Sequence, residues 1–97
     1  MQFNFDWDPQ KAATNARKHG VSFERASTVF RDPHAKSIFD VDHSTTEEGR
    51  WLTLGVSSTG TLLVVHHTFA EIDADTAIVR IISSRKATRR EQRQYME

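Results

Sequence analysis

The sequence predicts an α+β fold in which helices pack against an antiparallel sheet. Three observations support this fold class. Residues 9–30 carry helix-start signals and apolar side chains at helical spacing. Residues 50–69 form two β-rich runs around a short turn, and residues 77–83 form an apolar run that leads into a charged helix. A length of 97 residues fits one hydrophobic core, so we expect a single domain over residues 1–97.

The N-terminal part is expected to form a strand and then a helix. Residues 2–6 alternate between apolar and polar side chains, which is typical of a half-buried strand. A helix over residues 9–19 is bracketed by Asp8 as N-cap, Pro9 at its first position and Gly20 as its left-handed end. Small side chains are expected on its inner face, namely Ala12, Ala13 and Ala16.

A second helix is predicted directly after the first. Ser22 can cap it, and Asp32 followed by Pro33 should end it. Its apolar stripe would consist of Phe23, Ala26, Val29 and Phe30. A strand over residues 37–41 and an acidic polar loop are expected next.

The second half of the chain should supply most of the sheet. Residues 50–57 and 61–69 predict a hairpin whose turn contains Gly60 at positive φ. Residues 77–83 are expected to form a strand that is buried on both sides except at Arg80. The helix that follows begins with a capping-box pattern formed by Thr88 and Glu91.

Charge is distributed unevenly along the chain. Residues 76–97 contain six basic and two acidic groups, a net charge of +4, whereas residues 1–75 carry seven basic and eleven acidic groups, or −4. A basic element on an acidic body predicts one surface for a polyanion and another for a partner. A solvated helix that keeps the domain in solution is the alternative. The basic residues are Arg80, Arg85, Lys86, Arg89, Arg90 and Arg93.

Arg80 interrupts an apolar row. It lies between Ile78 and Ile82 at strand spacing, so its guanidinium should need a partner in an apolar environment. One interpretation is a cleft-floor arginine that binds phosphate oxygens, which the nearby Arg85 and Lys86 favour. The other is an ion pair with one of three acids: Asp40, Asp42 or Glu24.

The titratable residues predict neither a metal site nor a cofactor. The chain has no cysteine, and the adjacent His66 and His67 should point to opposite faces of a strand. His43 lies in an acidic loop that matches no calcium-binding pattern. Only His19, beside Lys18, combines a titratable ring with a basic setting, although capping of a helix end is an equally simple role.

The chain shows no signals for export or membrane insertion. Its start lacks a basic leader and an apolar run, and the longest apolar run, residues 62–65, is far too short to span a bilayer. We therefore expect no membrane partner and a cytoplasmic location, which the absence of cysteine also fits.

Two segments together resemble one protein family. These are FDWDPQKAATNARKHGVSFERASTVFRDP, residues 5–33, and RIISSRKATRREQRQY, residues 80–95. Together with Asp42, His43 and Ser44, they are similar to the BrnT family of type II toxin-antitoxin toxins. The resemblance implies a compact RelE-like ribonuclease fold, with two N-terminal helices on one face of an antiparallel sheet and a C-terminal helix. It also implies RNA cleavage that arrests translation.

The partners implied by the resemblance are an RNA substrate and a BrnA-like antitoxin. That antitoxin carries a ribbon-helix-helix DNA-binding domain, so operator DNA would be contacted only through it, in a hetero-oligomer. Without a metal site, cleavage would use the ribose 2′-hydroxyl as nucleophile. The catalytic candidates are Arg80, His19, Lys18, Glu24 and Arg85. The substrate-binding candidates are Lys86, Arg89, Arg90 and Tyr95.

Several alternatives stay open at this point. His19 can be an acid or a base, and Glu24 is the alternative base. Tyr95 can pack inward or offer its hydroxyl to a substrate. At the level of function, the rivals are a non-catalytic module with the same fold that binds nucleic acid or antitoxin, and a domain whose basic helix docks an acidic partner.

Overall fold

The computed structural model describes residues 1–46 and 48–97. In this part of the chain the strands are β1 (Gln2–Asp6), β2 (Lys36–Phe39), β3 (Arg50–Val56), β4 (Leu62–Thr68), β5 (Ala70–Glu71) and β6 (Thr76–Lys86). The helices are α1 (Pro9–His19), α2 (Phe23–Ser27), a 3₁₀ helix (Thr28–Arg31) and α3 (Arg89–Met96). None of these described helices is both long and apolar enough to cross a membrane.

The strands form one mixed sheet in the order β1-β6-β4-β3-β2, with β5 paired to β6. The β3–β4 hairpin is confirmed, and Gly60 in its turn has a φ of 82°. The prediction of a purely antiparallel sheet is wrong, because β1 pairs with β6 in parallel. The chain between these two strands passes through the other elements, so this long-range pairing leaves no local sequence signal.

The helix ends follow their local capping chemistry. The Asp8 carboxylate accepts the Gln10 N–H at 2.8 Å, and Gly20 adopts a φ of 69° at the C-terminal end of α1. The Thr88 hydroxyl and the Glu91 carboxylate form a reciprocal capping box at the start of α3. These cap predictions are confirmed.

The core lies between one face of the sheet and α1, α2 and the 3₁₀ helix. We call this face of the sheet the core face and the opposite side the open face. The buried cluster consists of Val21, Phe23, Ala26, Val29, Leu63, Val65, Val79 and Ile81. The predicted inner face of α1 is wrong in two positions, since Ala13 and Ala16 are exposed and Asn15 is buried.

The burial pattern of β6 also differs from the prediction. Ala77, Val79 and Ile81 are buried, whereas Ile78 and Arg80 are exposed on the other side of the strand. The first half of β6 therefore alternates like a half-buried strand, and the prediction that it is buried on both sides is wrong. Consequently Arg80 does not lie in an apolar wall.

Candidate active site

A β-bulge in β6 organises the candidate site. His66 pairs with Ser83, but the next residue of β4, His67, pairs with Ile81, so Ile82 has no partner. An extra residue of this kind changes the face of the sheet on which the following side chains lie. Bulges often lie next to active sites. Because of the bulge, Ser84 rather than Ser83 is the next buried residue after Ile81.

The buried side chain of Asn15 fixes the bulge to α1. Its Nδ2 donates to the Ser84 carbonyl at 2.8 Å and to the Val21 carbonyl at 3.0 Å. Its Oδ1 accepts the Ser84 N–H at 3.0 Å. One amide thereby satisfies three backbone groups from two other segments, which holds β6 in register with the end of α1.

His67 supports the bulge from the core face. Its Nδ1 lies 2.9 Å from the Thr68 carbonyl, which can only accept, so Nδ1 carries the proton. Its Nε2 therefore accepts the Thr53 hydroxyl at 2.6 Å, and Thr53 accepts the Ser37 hydroxyl at 2.7 Å. Burial lowers the pKa of His67, which keeps the ring neutral in this chain of hydrogen bonds.

Two grooves meet at the bulge and share Ile82 and Ser83. The first, which we call the α1 groove, has a volume of about 410 Å³ and includes Lys11, Thr14, Lys18 and His19. The second, the histidine groove, has a volume of about 120 Å³ and includes Asp40, His43, Arg50, Trp51, His66 and His67. Imidazoles and cations from distant parts of the sequence are thus assembled around one short stretch of β6.

His66 is the titratable group with the clearest chemical setting. Its side chain is half-buried on the open face. Burial lowers its pKa, and the positive charge of Arg85 lowers it further. His66 is therefore neutral at neutral pH, the state in which an imidazole can accept a proton.

Asp40 orients a second imidazole in the same groove. Its Oδ2 lies 2.7 Å from Nδ1 of His43. Desolvation would raise the pKa of Asp40, but the hydrogen bond and the charge of His43 lower it below its ordinary value. The ionised carboxylate accepts a hydrogen bond from Nδ1–H of His43, and Nε2 of His43 can face another partner.

Arg85 is held beside His66 by Glu91. The guanidinium and the carboxylate form two parallel hydrogen bonds of 2.7 and 3.0 Å. The bond from Arg85 is the main cause that lowers the pKa of Glu91 to about 2. Arg85 therefore reaches the site with its charge partly neutralised and its geometry fixed.

The structure places the predicted catalytic residues in different locations. Lys18 and His19 line the α1 groove, and Arg85 acts on His66. Arg80 forms an exposed ion pair with Asp6, so the three acids predicted as its partners are wrong. Glu24 is exposed near the start of α2 and lines neither groove.

The predicted substrate-binding residues lie outside both grooves. Lys86, Arg89 and Arg90 are exposed at the end of β6 and the start of α3. The hydroxyl of Tyr95 donates to Asp32 at 2.5 Å, which ties α3 to the loop that follows the 3₁₀ helix. Tyr95 therefore contributes to anchoring α3.

Sequence reasoning missed several residues of the site. The sequence predicts His66 and His43 only as rejected metal ligands, Arg50 only as the start of a strand and Asn15 only as part of the family-like segment of residues 5–33. The adjacent histidines were correctly expected on opposite faces, and that alternation was the signal that one of them faces the open side. Among residues 1–46 and 48–97, no three His, Cys, Asp or Glu side chains are grouped to hold a metal ion.

Comparison with known proteins assigns the family. The family described as the ribonuclease toxin BrnT of the type II toxin-antitoxin system matches residues 7–91. No curated protein sequence matches the chain significantly. The fold is similar to the 1.1 Å crystal structure of the Brucella abortus ribonuclease toxin BrnT, with a TM-score of 0.60 and 20% identity. That similarity covers 92% of this chain and 100% of the Brucella chain. The chain belongs to the BrnT family of ribonuclease toxins of type II toxin-antitoxin systems.

Proposed function

We propose that this BrnT-family chain is a metal-independent endoribonuclease whose active site is formed by the two grooves at the β6 bulge. The observation that carries this proposal is the neutral His66 beside Arg85, in a groove that also holds the Asp40–His43 pair. A base, a second imidazole and cations are what phosphodiester cleavage by an internal hydroxyl requires.

Cleavage proceeds in one displacement. His66 takes the proton of the ribose 2′-hydroxyl, and the oxygen attacks the adjacent phosphorus. Lys18 and Arg50 lie in the two grooves, where they stabilise the negative charge that develops on the phosphoryl oxygens. The departing 5′-oxygen takes a proton from a protonated imidazole, that of His43 or His19. The products are a 2′,3′-cyclic phosphate and a 5′-hydroxyl. The base has gained one proton and the acid has lost one.

The exposed cations have a supporting role in this proposal. Arg80, Lys86, Arg89 and Arg90 lie on the basic C-terminal element and attract the RNA backbone without reaching the scissile bond. Arg85 tunes His66 and binds phosphate once substrate competes with Glu91. We assign no catalytic role to Glu24.

A non-catalytic binding module is the second candidate function. It is favoured by one observation: Arg80 and Arg85 are both already paired with carboxylates, from Asp6 and Glu91. Pairs of this kind reduce the charge available to stabilise a transition state. A module of this type would bind RNA or antitoxin and leave RNA intact.

The proposed biological setting follows from the family. Cleavage of cellular RNA would inhibit translation, and a BrnA-like antitoxin with a ribbon-helix-helix domain would bind the toxin in a hetero-oligomer and carry it to operator DNA. We propose that this takes place in the cytoplasm and that the fold is of the RelE-like ribonuclease type. The family assignment to a type II system supports the protein antitoxin.

Incubation of the purified chain with a defined RNA, with and without chelator, tests the reaction type. We expect equal cleavage in both conditions and products that end in 2′,3′-cyclic phosphate. Cleavage that chelator abolishes and magnesium or zinc restores would contradict the mechanism. RNA that stays intact but binds with an affinity that falls steeply with salt would establish the binding module instead.

A further inference from the structure

Strand β2 leaves one edge of the sheet open. It is the last strand in the sheet order, and among residues 1–46 and 48–97 it pairs with β3 alone. The Asp40 N–H donates to the Arg50 carbonyl at 2.8 Å, so residues 36 and 38 form the hydrogen-bonded pairs with β3. The backbone N–H and C=O groups of Ser37 and Phe39 therefore point away from the sheet, where a further strand can bind them.

An apolar groove on the open face begins at this edge. Its floor is formed by one residue of β2, two of β3 and one of β4, namely Ile38, Leu52, Leu54 and Val64. One wall is formed by Glu91 and Gln94 of α3 and by Glu97, the residue that caps this helix, and the volume is about 300 Å³. Lys36 also lines the groove, and its ammonium group donates to the Gln94 carbonyl at 2.6 Å, which joins β2 to α3.

Three apolar side chains are exposed on β2 and just beyond its end. Ile38 is 62% exposed, Phe39 47% and Val41 73%. Ile38 lies on the open face, whereas Phe39 lies on the opposite face against Trp51. Within the described residues no strand pairs with the outer side of β2. Such an edge is typical of strand addition by a partner.

The charges beside the groove favour an acidic partner. Arg89, Arg90 and Arg93 are exposed on the same helix but outside the groove lining, which carries Glu91 and Glu97. The Glu91 carboxylate is occupied by Arg85, so the three arginines outnumber the remaining carboxylate of Glu97. A second copy of this chain would bring its own α3 arginines close to these arginines, and the like charges would repel each other. RNA would gain from the arginines, but it offers no backbone N–H and C=O groups that can pair with Ser37 and Phe39.

We propose that the β2 edge and the apolar groove bind an extended, acidic segment of the protein antitoxin; this inference rests on the antitoxin partner included in the proposed function. The segment adds a strand to β2, places alternate apolar side chains beside Ile38 and in the groove, and presents carboxylates to the arginines of α3. An added strand lies about 4.8 Å from β2, so its side chains on the open face come within reach of the groove.

The position of the groove links binding to regulation. Glu91 forms part of the groove wall and is also the partner of Arg85, whose charge acts on His66. A segment bound in the groove therefore contacts the ion pair that sets the electrostatics of the proposed site. Its carboxylates also occupy the cations that would attract RNA.

The test uses the purified product of the reading frame adjacent to the toxin gene and compares Ile38→Asp with Ile72→Asp. Ile72 is a matched control, since it is 57% exposed and lies outside the groove. By calorimetric titration we expect Ile38→Asp to weaken binding by about 100-fold or more and Ile72→Asp to leave it unchanged. We also expect Arg93→Glu to weaken binding about tenfold, and Arg31→Glu, an exposed control on the 3₁₀ helix, to have little effect.

RNA cleavage by the same variants, without antitoxin, separates this inference from the proposed function. Neither isoleucine belongs to the proposed catalytic machinery, so both aspartate variants should cleave like the wild type. Unchanged antitoxin binding by Ile38→Asp would overturn the inference even if cleavage is intact. A concentration-dependent dimer that Ile38→Asp abolishes, with antitoxin binding retained, would overturn it in favour of a second copy. Loss of RNA binding by Ile38→Asp alone would overturn it in favour of RNA.

Discussion

Replacement of Asn15 by alanine should destabilise the domain far more than replacement of an ordinary helix residue. Asn15 is 5% exposed, and its amide makes hydrogen bonds of 2.8, 3.0 and 3.0 Å to Ser84 and Val21. At a net value of about 1 kcal/mol for each bond, the loss is about 3 kcal/mol. For a domain of this size, that corresponds to a fall in the unfolding midpoint of roughly 12–24 °C.

Thermal unfolding followed by circular dichroism measures this effect, with Asn4→Ala as the control. Asn4 is an exposed asparagine on β1, so its replacement should shift the midpoint very little. Asn15→Asp refines the test, because it keeps the acceptor for the Ser84 N–H but loses both donors and should also destabilise. Midpoints of Asn15→Ala and Asn4→Ala that agree within about 2 °C would refute the role of Asn15 as a clamp of the bulge.

Three further predictions concern pH and the docking of α3. Because burial lowers the pKa of His67 in the folded state, the unfolding free energy should fall as pH drops below about 6.5, measured by urea unfolding; a flat profile would contradict this. The pKa of Glu91 is lowered to about 2, so its contribution to stability should be present above pH 4.5 and lost towards pH 2, and Glu91→Gln should remove that dependence. Tyr95→Phe should lower the urea midpoint of unfolding through loss of the hydrogen bond to Asp32, and an unchanged midpoint would argue against that anchor.

Local physical chemistry made the helix ends predictable. The caps at Asp8, Gly20 and Thr88 depend on side chains within three residues of the backbone groups that they satisfy. The hairpin around Gly60 has the same local origin. In these elements the two groups of each interaction lie within a few residues of each other in the sequence.

Long-range pairing was not predictable in this way. Asn15 donates to the Ser84 carbonyl, 69 positions away in the sequence. Because no local signal indicates that bond, the alanines of α1 are the inner face that the sequence predicts. The bulge at Ile82 changes the side-chain alternation of β6, and the parallel partner β1 supplies Asp6 to Arg80. Arg80, whose apolar neighbours in the sequence predict a buried charge, is therefore exposed. The site depends on the same bulge, which explains why its histidines were not identified together.

The cleavage rate of His66→Gln tests the central claim most directly. Glutamine keeps the polar character of the position but cannot act as a base at neutral pH, so we expect kcat/KM on a defined RNA to fall by about 10²–10⁴ with the fold intact. His34→Gln is the matched control, since His34 is exposed and lines neither groove. It should cleave at the wild-type rate. A folded His66→Gln protein that cleaves RNA within about threefold of the wild-type rate would contradict the assignment of the active site to the β6 bulge.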